Sequence, residues 1–575
     1  MSKSAAYEQQ LHQIRLRVSF VLCLLLLVSF ALVVRSLDLQ VLRNTFLAEQ
    51  GDARHLRIVP TVAPRGPITD RNGEALAIST PVDSVWVNPR LVADATDSLP
   101  ELARAMEVKP DWLKRRITSN LNREFLYLQR HMSPERTQRV EKLNIPGVYL
   151  QREYHRFYPA GEVTGHLLGF TDIDDHGQEG LELAYDGWLA GESGFKRVLR
   201  DRRGNTIEVE EVEPLREGQP LELSLDLRIQ YLAYRELKQA VQVNNAKSGS
   251  IVVIDVTTGE VLAMANQPSF NPNDRSEFRP ARYRNRAVTD IFEPGSSIKP
   301  FVLAAALESG EFKTNSTVDT SPGFFKVGSK VIQDKHNLGN ISLATVLTKS
   351  SNVGASKIAM QLESRYLWSV FARFGFGALT GSGYPAESAG LLANYNSWRP
   401  IAQATMAYGY GMSVTLLQLT EAYATLANNG VHLPISLLRQ TEVPEGETVV
   451  SPATSRALIK MLETVVAEGG TGTRAAVAGY RVAGKTGTSW KADAGGYSED
   501  RYVSVFAGLA PATAPRLAIV VMIDEPSAGK FYGGDVAAPV FSSVMAGTLR
   551  LLALAPDDVP RRRPGEIIQA MRDLP

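Results

Sequence analysis

Ser296 and Lys299 have the residue types and spacing of a nucleophile and its base. They stand in residues 293–301, which read Glu-Pro-Gly-Ser-Ser-Ile-Lys-Pro-Phe and lead into a run rich in alanine and leucine. This pattern predicts that Ser296 lies at the start of a helix, where free N–H groups and the positive end of the helix dipole stabilise an oxyanion. A serine hydroxyl needs an adjacent base, and a lysine is one once burial or a nearby cation lowers its pKa. The pair therefore predicts acyl transfer without a histidine.

The interval between serine and lysine is not specific by itself. Ser193 precedes Lys196, and Ser527 precedes Lys530, at the same interval. A serine that only caps a helix, followed by a solvated lysine, would give the same pattern. Further motifs must decide whether Ser296 is the nucleophile.

A second polar pair, Ser350 and Asn352, follows further along the chain. Residues 349–354 read Lys-Ser-Ser-Asn-Val-Gly, in which Ser350 could relay a proton and Asn352 could hold an amide of the substrate. The alternative is a polar loop before a helix, and residues 269–271 match the same Ser-x-Asn pattern. The pair supports Ser296 as the nucleophile only because it follows Ser296 along the chain.

The third motif is a Lys-Thr-Gly triplet that occurs once in the chain. Residues 484–488 read Gly-Lys-Thr-Gly-Thr, and we expect them on an edge strand where Gly487 lets a substrate approach the backbone. Lys485 is the cation that we expect near Lys299. The order Ser-x-x-Lys, Ser-x-Asn, Lys-Thr-Gly is typical of β-lactamases and penicillin-binding proteins.

Two β-rich regions enclose the helices that must position these motifs. The patterns predict strands over 251–256, 261–265, 502–509 and 517–523, and helices over 301–308, 343–347 and 416–428. Strands at both ends with helices between them predict an α+β domain whose sheet is mainly antiparallel.

The chain is too long for one compact core, since it has 575 residues. We expect an extended mixed α/β pedestal, non-catalytic and of a dimerisation-like type, over 41–220, a catalytic domain over 221–555 and a flexible tail over 556–575. Within the pedestal, Asn72-Gly73 predicts a hairpin turn. Residues 157–180 are interpreted as scaffold because they lack a nucleophile and base.

The N-terminus carries an uncharged apolar run over residues 18–34. This length is close to the minimum for crossing a membrane, so we predict an anchor over 18–36 behind a cytoplasmic tail over 1–17. A cleaved signal peptide is the alternative, but no Ala-x-Ala site follows the run. Basic residues precede the span, which favours a cytoplasmic N-terminus and places the rest of the chain outside the cytoplasm.

Composition argues against several other functions. Lys and Arg number 62 against 61 Asp and Glu, so no basic field indicates nucleic acid. The single cysteine, Cys23, lies in the apolar run and permits no internal disulfide. The eight histidines lack metal-ligand spacing, and we expect neither a metal nor a cofactor.

Together these motifs resemble class B penicillin-binding proteins, closest to the FtsI type that builds the division septum. The resemblance covers nearly the whole chain: residues 65–72, 156–180 and 201–204 resemble the family's pedestal, and residues 408–411, 485–488 and 532–541 its transpeptidase domain. No glycosyltransferase module of the class A kind precedes the transpeptidase part. Ser489 and Trp490 depart from the alanine and basic residue often found there, which leaves inhibitor preference open.

The resemblance implies a catalytic set of five residues. Ser296 would attack the penultimate carbonyl of a stem peptide ending in D-Ala-D-Ala, with Lys299 as base. Ser350 and Lys485 would pass a proton to the leaving D-Ala. Asn352 completes the set by holding a substrate amide.

The resemblance also implies a substrate-binding set. The backbone N–H groups of Ser296 and Thr488 would hold the oxyanion, while Thr486 and Thr488 bind the substrate carboxylate. Gly487 and Tyr410 are the other expected substrate-binding residues.

The implied partners follow from this chemistry. They are donor and acceptor stem peptides of peptidoglycan, β-lactam antibiotics that trap the same serine, the bacterial inner membrane with the catalytic domain in the periplasm, an FtsW-type glycosyltransferase and other divisome proteins. An elongation-type transpeptidase shares the three motifs and stays an alternative. So do a D,D-carboxypeptidase or β-lactamase, in which water resolves the acyl-enzyme, and a non-catalytic β-lactam sensor or scaffold.

Overall fold

The computed structural model of the protein describes residues 3–46, 56–200, 206–274, 276, 279–493 and 496–558. Its packing divides the chain into two compact units, one of residues 1–63 with 191–217 and one of residues 64–190 with 218–575. The domain limits expected from sequence stay a prediction. The family-like segment 201–204, and the tail from residue 559 onward, lie outside the described residues.

The first unit contains one long helix, Lys3–Leu37, and a three-stranded antiparallel sheet. A π-helical turn, Asp38–Leu42, follows the helix. Residues Tyr7–Leu42 are long and apolar enough to cross a membrane, and they contain the predicted anchor over 18–36. At ~1.5 Å per residue the helix exceeds the ~30 Å of a bilayer's hydrocarbon core. The sheet consists of Leu56–Thr61, Gly194–Arg200 and Thr206–Glu213.

Residues 64–190 of the second unit are built around the long strand Ala75–Val87. It pairs antiparallel with Ile68–Thr69 through the turn at Asn72-Gly73, which confirms the predicted hairpin. It also pairs antiparallel with Leu126–Met132 and Val148–Phe157. Apolar side chains of the sheet pack on a group of helices and form a separate small core. The longer helices here are Pro89–Ala93, Leu99–Met106, Pro110–Thr118 and Pro134–Lys142, and the short elements are Gly165–Leu168, Phe170–Thr171, Gly177–Glu179, Gly180–Ala184 and Asp186–Leu189.

A buried ion-pair network connects the family-like segments of this region. Glu182 accepts hydrogen bonds from Nε of Arg65 and Nε of Arg156, both at 2.7 Å, and all three side chains are buried. A buried charge is tolerated only when it is paired and hydrogen-bonded, so these contacts fix one arrangement of the segments. Nη1 of Arg65 also donates to the carbonyl oxygen of Asp175 at 3.1 Å, so the network reaches residues 157–180, whose interpretation as scaffold stays a prediction.

Residues 221–555 contain a five-stranded antiparallel sheet whose strands we number in chain order. They are β1 Ser248–Asp255, β2 Val261–Gln267, β3 Ala483–Asp493, β4 Gly496–Ala510 and β5 Leu517–Asp524, in the spatial order β2-β1-β5-β4-β3. The α+β fold and the four predicted strands are therefore confirmed, and β3, which carries the Lys-Thr-Gly triplet, is an edge strand. Every residue of β1 and β2 is buried, because helices cover both faces of the sheet.

The three predicted helices are also present, as Lys299–Glu308, Leu343–Thr348 and Leu416–Ala427. The other helices of this region are Leu227–Val243, Pro280–Tyr283, Arg286–Thr289, Asn352–Gln361, Ser364–Arg373, Pro400–Met406, Pro452–Val466, Gly533–Val536 and Ala538–Leu551. Its short strands are Leu221–Glu222, Thr317–Asp319, Phe324–Val327, Lys330–Gln333, Asn340–Ser342, Val431–His432 and Glu447–Thr448.

Candidate active site

Ser296 lies in a tight turn directly before the helix Lys299–Glu308. The turn Gly295–Ile298 is a 3-10 helix, so Ser296 precedes the α-helix proper, whose first residue is Lys299. Gly295 has φ +55, a conformation that favours glycine. The half-buried Ser296 lines a cavity of about 480 Å³ together with four other predicted site residues, Ser350, Asn352, Thr486 and Thr488.

Lys299 is completely buried, and its ammonium nitrogen contacts the Ser-x-Asn motif. Nζ donates to the carbonyl oxygen of Ser350 at 2.6 Å, to Oγ of Ser350 at 3.2 Å and to Oδ1 of Asn352 at 2.8 Å. Burial, and then the charge of Lys485, lower the pKa of Lys299 well below its usual range, although Asp334 opposes the shift. Both causes that the sequence suggested therefore act on this lysine.

Lys485 reaches the same serine from strand β3. Its Nζ donates to Oγ of Ser350 at 3.0 Å, and to the carbonyl oxygen and Oγ1 of Thr486 at 3.0 and 3.3 Å. Burial lowers the pKa of Lys485 to about 7. A proton at this position is therefore exchanged easily near neutral pH.

Ser350 is held in an unusual backbone conformation between the two lysines. Its φ of +57 is uncommon for a residue other than glycine and occurs where surrounding contacts enforce it. The next residue, Ser351, caps the helix Asn352–Gln361 by accepting the N–H of Gly354 at 2.8 Å. The cap fixes where the helix begins and so where the Ser350 hydroxyl points.

Asp334, which no local sequence pattern indicated, supports the same helix start. Oδ1 accepts the backbone N–H groups of Asn352 and Val353 at 2.6 and 3.1 Å, and Oδ2 accepts the hydroxyl of Ser351. A carboxylate at a helix N-terminus is favoured by the free N–H groups and the dipole. Asp334 therefore positions the Ser-x-Asn motif.

Thr486 and Thr488 are bound to neighbouring segments of the cavity wall. Oγ1 of Thr486 lies 2.9 Å from Oγ1 of Thr471, and Oγ1 of Thr488 accepts the N–H of Gly533 at 3.0 Å. Most of the other residues that line the cavity were not predicted as site residues: Gln333, Asp334, Lys335, His336, Leu338, Lys349, Thr471, Thr473, Arg474 and Asp535. Tyr532 to Gly534, which carry part of the family resemblance, line the cavity too.

Gly487 also has a packing role, in addition to the expected approach of a substrate to its backbone, which stays a prediction. A Cβ at this position would lie 2.8 Å from the carbonyl oxygen of Pro294 and 3.4 Å from Cβ of Ser297. Its missing side chain thus lets β3 pack on the turn that carries Ser296. Gly409 has the same use, since its Cβ would lie 2.1 Å from the carbonyl oxygen of Gly295.

Tyr410, like Lys299, Lys485 and Gly487, is a predicted site residue that is not among those lining the cavity of Ser296. Its hydroxyl oxygen accepts the backbone N–H of Trp490 at 3.1 Å, and its ring contacts those of Tyr497 and Trp490, at centroid distances of 5.2 and 6.3 Å. Tyr410 therefore contacts the hairpin of β3 and β4, and its role as a substrate-binding residue stays a prediction.

The other Ser-x-x-Lys matches lack this setting. Ser193 is exposed, and Ser527 lies on the surface, where its hydroxyl donates to the carbonyl oxygen of Asn245 at 2.8 Å. Neither lines the cavity of Ser296. Among the described residues, no three His, Cys, Asp or Glu side chains gather as metal ligands would.

The arrangement suits acyl transfer. A hydroxyl just before a helix, a buried lysine with a lowered pKa and a serine hydrogen-bonded to two lysines can supply a nucleophile, a base and a proton relay. The edge strand β3 on the opposite wall offers backbone and threonine hydroxyls to an extended peptide.

Two family models match the chain. Residues 249–546 match the penicillin binding protein transpeptidase domain, and residues 60–223 match the penicillin-binding protein dimerisation domain. The transpeptidase domain of Burkholderia pseudomallei penicillin-binding protein 3 superposes with a TM-score of 0.55 at 41% identity, over 59% of this chain and 98% of that one.

Full-length relatives extend the similarity to the N-terminal part. The peptidoglycan D,D-transpeptidase FtsI of Escherichia coli K12 is 43% identical over 93% of this chain and 91% of its own length. The probable peptidoglycan D,D-transpeptidase PbpC of Pseudomonas aeruginosa is 43% identical over 94% of this chain and 96% of its own. PenA of Neisseria meningitidis, a probable enzyme of the same activity, is 40% identical over 94% and 93%. With both domains matched and relatives aligned along almost its whole length, the chain belongs to the class B penicillin-binding proteins.

Proposed function

We propose that this protein is a peptidoglycan D,D-transpeptidase that cross-links stem peptides at the division septum through an acyl-enzyme on Ser296. The observation that supports the reaction best is the shared hydrogen bonding of Lys299 and Lys485 to Oγ of Ser350, beside the cavity that Ser296 lines. The names of the relatives FtsI and PenA support the same activity.

In the first half of the reaction, Ser296 Oγ attacks the penultimate carbonyl carbon of a D-Ala-D-Ala peptide. Lys299, whose pKa is lowered, takes the hydroxyl proton. The N–H groups of Ser296 and Thr488 hold the oxyanion. The bond to the terminal D-Ala nitrogen then breaks, and a proton from Ser350, replaced from Lys485, goes to the leaving amine.

The side chains of β3 orient the donor peptide in this scheme. Thr486 and Thr488 bind its terminal carboxylate, and Asn352 holds a peptide amide. Gly487 and Tyr410 are the other substrate-binding residues of the proposal. A neighbouring stem peptide's amine then attacks the acyl carbon and restores Ser296.

A β-lactam enters the same path because its strained amide presents a carbonyl to Ser296. The ring nitrogen stays attached after opening, so the acyl-enzyme persists. The exposed Trp490, which departs from the basic residue often found in the family, stands on the hairpin beside Tyr410.

The cellular assignment rests on the apolar helix and on the relatives. The helix Lys3–Leu37 anchors the chain in the inner membrane, with the catalytic domain in the periplasm. An FtsW-type glycosyltransferase supplies the glycan strands, and other divisome proteins are further partners.

The reaction is tested by the fate of the acyl group. The full chain in detergent is incubated with a D-Ala-D-Ala pentapeptide and an amine acceptor, and products are followed by mass spectrometry with the Ser296→Ala variant as control. We expect an acceptor-linked peptide and free D-Ala. Shortened peptide alone would indicate a carboxypeptidase. In a parallel incubation with penicillin, rapid hydrolysis of the penicillin would indicate a β-lactamase. A stable penicillin adduct without peptide turnover would indicate a sensor or scaffold.

A further inference from the structure

The carboxylate of Glu293, three residues before Ser296, connects three segments of the active site. Its Oε1 accepts the backbone N–H of Gly411 at 2.8 Å and the hydroxyl of Tyr497 at 3.0 Å. Gly411 belongs to the loop 408–411, and Tyr497 stands near the start of β4. One oxygen therefore holds the loop and the hairpin to the turn that carries Ser296.

The backbone of Glu293 is bound to the edge strand as well. Its carbonyl oxygen accepts the hydroxyl of Ser489 at 2.8 Å, and Ser489, only 2% exposed, directly follows Thr488. The strand that carries Thr488 is thus bound to Glu293 directly through Ser489, and again through Tyr497 on the paired strand β4.

The loop 408–411 contacts both of its neighbours. The N–H of Gly295 donates to the carbonyl oxygen of Gly409 at 3.3 Å, next to Ser296. On the other side, Tyr410 accepts the N–H of Trp490 and packs on the ring of Tyr497. The loop therefore contacts both the hairpin and the turn, so the position of one depends on that of the other. Glu293 binds to the loop and to the hairpin.

The acceptor oxygen of Glu293, more than its charge, carries these contacts. Its second oxygen, Oε2, is buried and has no hydrogen-bond partner within the described part of the chain. Burial raises the pKa of Glu293, although the bonds from Gly411 and Tyr497 oppose the shift. A neutral amide that offers the same acceptor should consequently replace the carboxyl group.

We propose that Glu293 is a positioning residue which, through Gly411 and Tyr497, sets the placement of Thr488 relative to Ser296. The proposal rests on the proposed function, since it assumes that Ser296 is acylated by a ligand bound between Ser296 and Thr488. No substrate atom touches Glu293 in this scheme. Its effect is on the rate at which a bound ligand reacts.

The test compares variants that remove or keep the acceptor. The full chain in detergent is reacted with benzylpenicillin, and the rate of acylation at saturation is separated from ligand affinity. We expect Glu293→Ala to slow acylation roughly tenfold, as for two lost hydrogen bonds, and Glu293→Gln to stay within about twofold of wild type. Tyr497→Phe should slow it severalfold, and adding it to Glu293→Ala should change little, because both act through one contact.

The matched control is Tyr502→Phe, which deletes a hydroxyl of the same strand that donates to the carbonyl oxygen of Glu499 at 3.0 Å. Equal rates for wild type and Glu293→Ala, or a Glu293→Gln variant as slow as Glu293→Ala, would overturn the proposal. If Glu293→Ala fails to fold, equal rates for Tyr497→Phe and Tyr502→Phe overturn it in the same way. A wild-type chain that is not acylated at Ser296 would refute the proposed function instead.

Discussion

The side-chain nitrogens of Lys299 and Lys485 share one hydrogen-bond acceptor, Oγ of Ser350, at 3.2 and 3.0 Å. Both lysines are fully buried. Two ammonium groups so close together in a dry site repel each other, so one of them loses its proton. Lys299, whose pKa is lowered by both burial and Lys485, is the one that we assign as neutral.

Acylation should therefore depend on pH with two limbs. Below the lowered pKa of Lys299 the base is protonated, so the rate rises with pH through this ionisation. Lys485 has a pKa of about 7 and loses the proton needed by the leaving nitrogen above it, so the rate falls again. A pH profile of penicillin acylation checks both limbs.

Lys485→Arg separates the two limbs, because arginine stays protonated at every accessible pH. It should react more slowly but lack the fall near pH 7. A fall of the same midpoint in this variant would assign the upper limb to another group.

Ser350→Ala should slow acylation roughly a hundredfold or more, the range expected for a lost proton-transfer group. The variant removes the acceptor that both lysines share, while the cap of the helix by Ser351 stays in place. Stopped-flow measurement with a chromogenic β-lactam gives the rate. Ser369→Ala, which deletes a hydroxyl bound to the carbonyl oxygen of Tyr366, is the control and should react like wild type. A Ser350→Ala rate within threefold of wild type would remove this serine from the relay.

The anchor should remain on the mature protein. Because the helix over residues 7–42 contains an apolar stretch long enough to cross a membrane, and none of that stretch is buried, the protein should sediment with inner membranes and keep Met1 or Ser2 at its N-terminus. N-terminal peptide mapping decides the point. A first residue beyond Val34 would show cleavage and favour the signal-peptide alternative.

A fluorescent fusion should concentrate at midcell, and selective inhibition should give filaments when no second copy compensates. The reason is the similarity to FtsI over nearly the whole chain, since the three motifs are common to the elongation paralogue. Microscopy of dividing cells provides the measurement. Uniform lateral fluorescence, with rounded cells on inhibition, would assign the protein to elongation.

Local patterns predicted the strands because their evidence lies within a few residues. The strands β1 and β5 are continuous apolar runs bounded by turns, and their burial on both faces explains the absence of alternation. The assignment of Ser296 as nucleophile and Lys299 as base rests on an equally local interval of three residues and stays a prediction.

The supporting residues escaped prediction because their partners are distant in sequence. Asp334 touches Asn352 only after the hairpin 324–333 has folded beside that helix. Gly487 is required by Pro294, which no local pattern connects to the Lys-Thr-Gly triplet. The hydrogen bond from the N–H of Trp490 to the hydroxyl of Tyr410 likewise joins segments that are distant in sequence.

Mapping the residue that penicillin acylates decides most directly whether Ser296 is the nucleophile. After benzylpenicillin exposure, intact mass and peptide mapping should show one adduct, on the peptide that contains Ser296, in wild type and in the Ser193→Ala and Ser527→Ala variants. Ser296→Ala should show none. An adduct on Ser296→Ala, or a wild-type adduct that maps to another serine, would contradict the central claim.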